Sequence, residues 1–198
     1  MFVLPQTTQR GVAIERSRFL RLLARFNGCP LETLRGALCW DKATFGSVID
    51  DMLSRDLIFK LPYKPLLAGR SDLYYFRDTG LLHRLFNPKW LRSASAAKHW
   101  ARSWEGFAIQ TIMFGPGKDA AAAVWRKGVD EIDLILEWPH AGDRWAIEIG
   151  MGTDKQASAG FRRGADILKA SRKLIVHRGA CDSHGGCERM TLEGLLSA

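Results

Sequence analysis

Three acidic residues set the chemistry this chain could perform: Glu105, Asp133 and Glu148. Asp133 falls in the strand-like run EIDLILEW (131–138), and Glu148 in the next such run, WAIEIGMG (145–152), after the short turn PHAGDR. Side chains alternate along a strand, so Glu148 shares a face with Ala146 and Gly150, and Asp133 with Ile135 and Glu137. If the two strands align suitably, both carboxylates converge at one end of a sheet. Carboxylates so placed suit a hard divalent cation such as Mg2+ or Mn2+, which takes oxygen ligands and keeps several waters. Such an ion activates water and offsets charge on a scissile phosphate. Glu105, on the preceding helix, could reach the same place, although acids in strands are more often solvated faces or partners of nearby arginines.

A second cluster, Cys181, His184 and Cys187, has the spacing C-x2-H-x2-C in a Gly-rich loop and invites a zinc reading. A zinc cage usually needs four ligands, and no fourth stands nearby, which weighs against it. With Cys29 and Cys39 the chain has four cysteines. That number fits reduced thiols better than a disulfide framework.

The elements that must position these groups are legible from periodicity. Residues 17–26 place Phe19, Leu20, Leu22, Leu23 and Phe26 at helical spacing with arginines opposite, and Asn27-Gly28 supplies a stop. PLETLRGAL predicts a short second helix. Phe45, Val48, Ile49, Met52 and Leu53 form the full stripe of a third, capped by Asp41 or Thr44. Leu57, Phe59 and Leu61 then alternate in a strand ended by Pro62 and Pro65, and DLYYFRD (72–78) follows a Gly-containing loop as its partner. Three helices and a hairpin outline a winged helix, whose third helix commonly enters the major groove. Here that helix carries Asp50 and Asp51 and few basic residues, poor equipment for reading bases.

Residues 79–86 predict one more helix, and the Pro- and Ser-containing stretch 87–99 a seam, giving a winged-helix-like module over 1–92 and an α/β domain over 93–198. In the second part, 99–114 is a helix with Trp104, Phe107, Ala108, Thr111 and Phe114 on one stripe and Glu105 beside it. Strands follow at 123–127, 131–138 and 145–152, then a helix at 158–171 and a strand at 173–178. A terminal helix or strand lies around MTLEGLLSA. The order is α/β, an antiparallel hairpin feeding a mixed sheet flanked by helices.

Charge divides the chain in the same place. Residues 1–100 hold 16 Lys/Arg against 8 Asp/Glu, while 101–198 hold 13 of each, so the whole +8 lies in the first half. A concentrated positive field suits a polyanion, because neutralised phosphates release counterions, and DNA is the expected partner of this half. No apolar run approaches the roughly 20 residues of a membrane span. The start MFVLPQTTQRG lacks a signal peptide's pattern, and the expected location is the cytoplasm. The pair Gly117-Lys118 has neither the spacing nor the hydroxyl residue of a nucleotide-binding P-loop, so ATP hydrolysis is not expected.

Six phrases carry a resemblance over most of the chain, from about Arg16 onward: SVIDDMLSRDLIFKLPYK, LYYFRDTGLLHRLF, WEGFAIQTIM, WRKGVDEIDLILEW, AIEIGMG and LIVHRG. They resemble the PD-(D/E)xK nuclease superfamily. More narrowly, they resemble a C-terminal domain of unknown function found in prokaryotic AAA-type ATP-binding proteins, here without the ATPase. That resemblance implies a winged-helix-like segment followed by a restriction-endonuclease-like fold. It makes Glu105 the helix acid, Asp133 the aspartate, Glu148 the glutamate, and Glu131 the acid two positions before Asp133. It also implies a lysine two residues after Glu148, where this chain has Gly150. Lys127, Lys155 and Lys169 are the substitutes available in sequence. The expectation is a nucleic-acid-associated protein with a degenerate nuclease-like domain that binds without standard cleavage. The alternatives are an active Mg-dependent DNA nuclease with a relocated lysine, or a non-enzymatic regulatory module docking on a separate AAA-type ATPase.

Overall fold

The computed structural model describes residues 9–64 and 72–197, and of residues 9–14 and 184 the backbone alone. The first residues of the chain, Pro65 and the Gly-containing loop after it lie outside the described residues.

Asn27-Gly28 ends α1 (Gln9–Arg25), with Gly28 at φ +77. A two-residue strand β1 (Cys29–Pro30) leads into α2 (Leu31–Leu38). α3 (Lys42–Ser54) is capped by Asp41, which accepts from the backbone N–H of Ala43 and Thr44, both at 2.9 Å. β2 (Ile58–Leu61) and β3 (Leu73–Phe76) form the hairpin, and β1 pairs antiparallel with β3 to give the order β1-β3-β2. This winged-helix-like arrangement departs from a DNA-reading one in two respects. On α3, Asp51 is tied to Arg16 (2.7 Å) and Arg55 (2.9 Å). The hairpin strands are buried on both faces. Ile58, Tyr74 and Phe76 pack with Phe19, Leu34, Phe45 and Met52 of the helices, while Phe59, Leu61, Leu73 and Tyr75 pack against the second half.

α4 (Thr79–Arg84), capped by Asp78, and α5 (Pro88–Leu91) lead into α6 (Ala96–Phe114), so much of the expected seam is helical. Six strands follow: β4 (Ala121–Lys127), β5 (Asp130–Trp138), β6 (Asp143–Ile149), β7 (Arg172–Val176), β8 (Asp182–His184) and β9 (Cys187–Met190). α7 (Ala159–Ile167) crosses over between β6 and β7, and α8 (Leu192–Leu196) closes the chain. The sheet order is β4-β5-β6-β7-β9-β8, antiparallel from β4 to β6, parallel from β6 through β7 to β9. The mixed sheet flanked by helices is thus present, α6 on one face and α7 on the other. The cysteine segment, expected as a loop, adds β8 and β9, fastened by Arg172 on Glu188 (2.6 Å) and Arg189 on Asp182 (2.7 Å). α7 stops earlier than its periodicity suggests because Lys169 turns left-handed, at φ 53.

Of the expected stripe of α6, only Ala108 belongs to its fully buried face. Phe107 and Phe114 are 42% and 61% exposed, while Ala108, Ile109 and Ile112 are fully buried. Close approach to the hairpin decides the rotation. A Cβ on Gly106 would lie 2.8 Å from Asn27 Nδ2 and 2.9 Å from Tyr75 Cδ1, so the small residue must face β3. The two halves are also joined through backbone: Val124 N–H donates to Pro62 O (2.9 Å) and Lys64 N–H to Val124 O (2.8 Å). Among the described residues no helix is long and apolar enough to cross a membrane.

Asn27, 3% exposed, ties these parts together. Its Nδ2 donates to Arg102 O on α6 (3.1 Å), and its Oδ1 accepts from Phe76 N–H on β3 (2.9 Å). Replacing it by leucine strands the Phe76 N–H away from water. Asn27→Leu is therefore expected to cost about 1–3 kcal/mol, read as a lower urea midpoint at an unchanged slope.

Candidate functional site

Asp133 reaches the site because β5 is irregular there. Ala123 pairs with Ile135 and Trp125 with Ile132, so Val124 alone faces both Asp133 and Leu134. This is a β-bulge, a device that re-aims a side chain. It breaks the strict alternation that would group Asp133 with Ile135: Ile132 and Ile135, three apart, pack into the same core. Pairing of β5 with β6 runs only to Leu134–Ile147. At the next position Asp133 and Glu148 face each other across the opening strands. There Asp133 Oδ2 accepts from Ile149 N–H (2.8 Å), a carboxylate taking the place of a ladder carbonyl.

Glu148, still paired through its backbone with β7, is 7% exposed. Its Oε2 accepts from Ser158 N–H (3.0 Å) at the start of α7, and its Oε1 receives Lys155 Nζ at 2.7 Å. The lysine comes from the loop between β6 and α7. Its stem lies over Gly150: a Cβ built on Gly150 would be 2.6 Å from Lys155 Cγ and 2.8 Å from its Cδ. Lys155 thus fills the space a side chain at position 150 would enter and delivers an ammonium to the glutamate. Lys127 is instead exposed at the end of β4, where its charge acts on Asp130. Lys169 is exposed beyond the opposite end of α7.

Glu105 Oε1 accepts from Tyr75 Oη (2.7 Å), a fully buried tyrosine of the hairpin. The first half of the chain therefore contributes a group to the site, which strand and helix periodicity did not reveal. Burial pushes Glu105 upward from the usual carboxylate range; the Tyr75 hydrogen bond opposes this and the Glu131 charge adds to it. Asp133 is pushed well up by burial first, then by the Glu105 charge, against the Ile149 N–H. Tyr75 also rises, by burial and by facing Glu105. Glu131 lies beside the cluster, paired with Arg126 across the β4–β5 ladder. Glu105 and Asp133 each engage one oxygen with the protein and keep partial exposure.

Among the described residues no three His, Cys, Asp or Glu side chains already form a metal cage. The three acids are drawn toward Tyr75, Ile149 N–H and Lys155 rather than toward one point. In the cysteine segment, Cys187 is buried in the core beside α7 and Cys181 is exposed near Gly194. The His184 side chain lies outside the described residues.

No family model matches the chain. It is similar to uncharacterised proteins of Mycobacterium bovis and Mycobacterium tuberculosis, each 31% identical over 113 residues, covering 56% of this chain and 24% of theirs. The match therefore spans about a quarter of the length of these relatives. Among solved structures, the PcaV transcriptional regulator from Streptomyces coelicolor, in complex with its natural ligand, matches with 23% identity. That match covers 48% of this chain and 62% of the regulator at a TM-score of 0.31, too low to bear on the architecture described above.

The upward shifts have a thermodynamic consequence. Glu105 and Asp133 hold protons more tightly folded than unfolded. The native state then binds more protons than the unfolded one, and stability falls as pH rises above the ordinary carboxylate range, about 4. In EDTA, Asp133→Asn should melt above the wild type at pH 7.5, with the gap closing toward pH 4. Parallel melting curves across that range would contradict it.

Proposed function

We propose that this chain is a nucleic-acid-associated protein whose α/β half carries a metal-dependent phosphodiesterase site of the PD-(D/E)xK kind, with Lys155 standing in for the lysine absent at position 150. One observation carries the reading: Lys155 Nζ lies 2.7 Å from Glu148 Oε1 while its stem occupies the space over Gly150. The basic excess of the first half supports the choice of a polyanionic substrate.

By its chemistry the donor set suits a hard divalent cation, once the acids turn from their present partners toward one point. Asp133, Glu148 and Glu105 would hold it, and the burial and like-charge repulsion that raise two of these carboxyls, from Glu131 on Glu105 and from Glu105, Glu131 and Glu148 on Asp133, are what a cation would relieve. When bound, Mg2+ or Mn2+ supplies a more acidic water and offsets charge on the phosphate. Tyr75 orients Glu105, the Ile149 N–H orients Asp133, and the Ser158 N–H holds the far oxygen of Glu148. The Lys155 ammonium is placed to donate to the attacking water or to a phosphate oxygen as negative charge develops.

A second reading, binding without cleavage, is favoured by one feature. Lys155 and the Ser158 N–H together take both oxygens of Glu148, so the lysine could neutralise the glutamate in place of a metal.

Supercoiled plasmid with Mg2+ or Mn2+ distinguishes the two. The wild type should nick it, Glu148→Gln should abolish nicking, and Lys155→Ala should lower the rate about a hundredfold or more. The double change Lys155→Ala/Gly150→Lys should restore activity, because removing the Lys155 stem opens the space for a lysine at 150. An inert wild type whose Mn2+ affinity rises on Lys155→Ala would establish the second reading.

A further inference from the structure

We infer that the cleft between α1 and the α4–α5 corner is a binding site for single-stranded nucleic acid, an inference that rests on the nucleic-acid association proposed above. Arg18, Arg21 and Arg25 stand at i, i+3 and i+7 on α1, one face of the helix over about 10 Å of axis. Arg84, at the end of α4, lines the same cavity, whose volume is about 570 Å3 and whose walls include Leu22 and Trp90.

The charges there are available. All four arginines are exposed, and none pairs with a carboxylate among the described residues. Arg18 lies over the Trp40 ring (6.0 Å) and Arg25 over Phe26 (5.2 Å), contacts that leave guanidinium edges free to donate. Elsewhere the arginines are largely spent on acids, as Arg16, Arg55, Arg77, Arg126, Arg144, Arg163, Arg172 and Arg189 all are. Four arginines without a carboxylate partner thus line one cleft, while Arg35, Lys42, Lys89, Arg92 and Lys98 of the same half stand outside its lining. Guanidinium groups suit phosphate because they bind it through two parallel hydrogen bonds.

Shape selects the form of nucleic acid. The cleft is open to solvent, and its volume of about 570 Å3 is of a size to take an unpaired nucleotide or two. Arginines around a partly apolar floor provide what an unpaired strand needs: donors for phosphates and a surface for bases. Trp90, stacked on His99 with centroids 5.5 Å apart, is held in place to serve as part of that floor. An acidic peptide would satisfy the arginines but leave the floor without a planar partner. The assignment also moves recognition away from α3, whose Asp50 and paired Asp51 repel phosphate, and from the buried hairpin.

Fluorescence anisotropy of a labelled 20-nucleotide oligo-dT and a 20-base-pair duplex, measured in EDTA with the full chain, tests this. The wild type should bind oligo-dT at least about tenfold more tightly than the duplex. Arg21→Glu/Arg84→Glu, both exposed positions, should weaken oligo-dT binding more than about tenfold and reduce the salt slope by about 1.4. Arg21→Lys/Arg84→Lys should keep the slope and lose part of the affinity. Tight oligo-dT binding unchanged by the Glu variant overturns the location and leaves the association standing. Equal or tighter duplex binding overturns the single-strand assignment, and displacement by poly-glutamate at the same charge concentration points to an acidic chain instead. No binding of either nucleic acid at low salt overturns both this inference and the association on which it rests.

Discussion

Burying carboxylates beside one another is costly, and much of the local structure around Asp133 can be understood as meeting that cost. Ionised groups within a few ångströms in a low-dielectric setting repel, and each prefers water or a donor. The bulge in β5 and the early end of the β5–β6 ladder together set the Ile149 N–H against Asp133, and the tyrosine on β3 donates to Glu105. The Lys155 ammonium does the same for Glu148. Such an arrangement is expensive as mere scaffolding, since apolar residues in the same positions would pack without penalty. Under the function proposed above, that cost prepares a site for a cation and an anionic substrate.

The burial of the hairpin on both faces couples that site to the helical half. Tyr75 can donate to Glu105 only because β3 is pressed against α6 at Gly106, and β3 is held there by Asn27 and by Phe59, Leu61 and Leu73 on the same face. A hairpin so placed is a structural layer between two cores. The winged-helix-like outline therefore does not imply winged-helix recognition of DNA.

What could be read from sequence was what depends on local period. The third helix, the hairpin strands and the succession of strands β4 to β7 along the chain follow from apolar spacing, and parity puts Glu148 and Gly150 on one face, where the Lys155 stem lies. What could not be read was set by contacts distant in sequence. The bulge adds one residue to β5 without any sequence signature, and it alone separates Asp133 from the face of Ile135. The rotation of α6 is dictated by Gly106 against Tyr75, 31 positions away by numbering, and so the exposed Phe107 and Phe114 were assigned to the packing stripe. Cys187 is part of a sheet because Arg172 reaches Glu188 across β7 and β9, which spacing among cysteines cannot disclose.

A lysine supplied from a loop, as proposed for Lys155, is held differently from one on a strand. At position 150 the sheet itself would fix the backbone, as the Gly150 N–H bond to Val176 O (2.9 Å) still does. Lys155 has no such ladder and depends on several fastenings. Arg189 Nε donates to the Lys155 carbonyl (3.1 Å), and the Ser158 N–H is anchored on Glu148 itself. Arg178 N–H donates to Gly152 O (3.3 Å), and the turn at Gly179 sits so close to Thr153 that a Cβ there would be 1.8 Å from its carbonyl oxygen. Arg189 belongs to β9, so the otherwise unexpected β8–β9 extension of the sheet becomes part of the support for the site. A group that must donate at the moment charge develops loses its effect when it wanders by about an ångström. If Lys155 acts as proposed, the loop's anchors are as much a condition for its chemistry as the ammonium they carry.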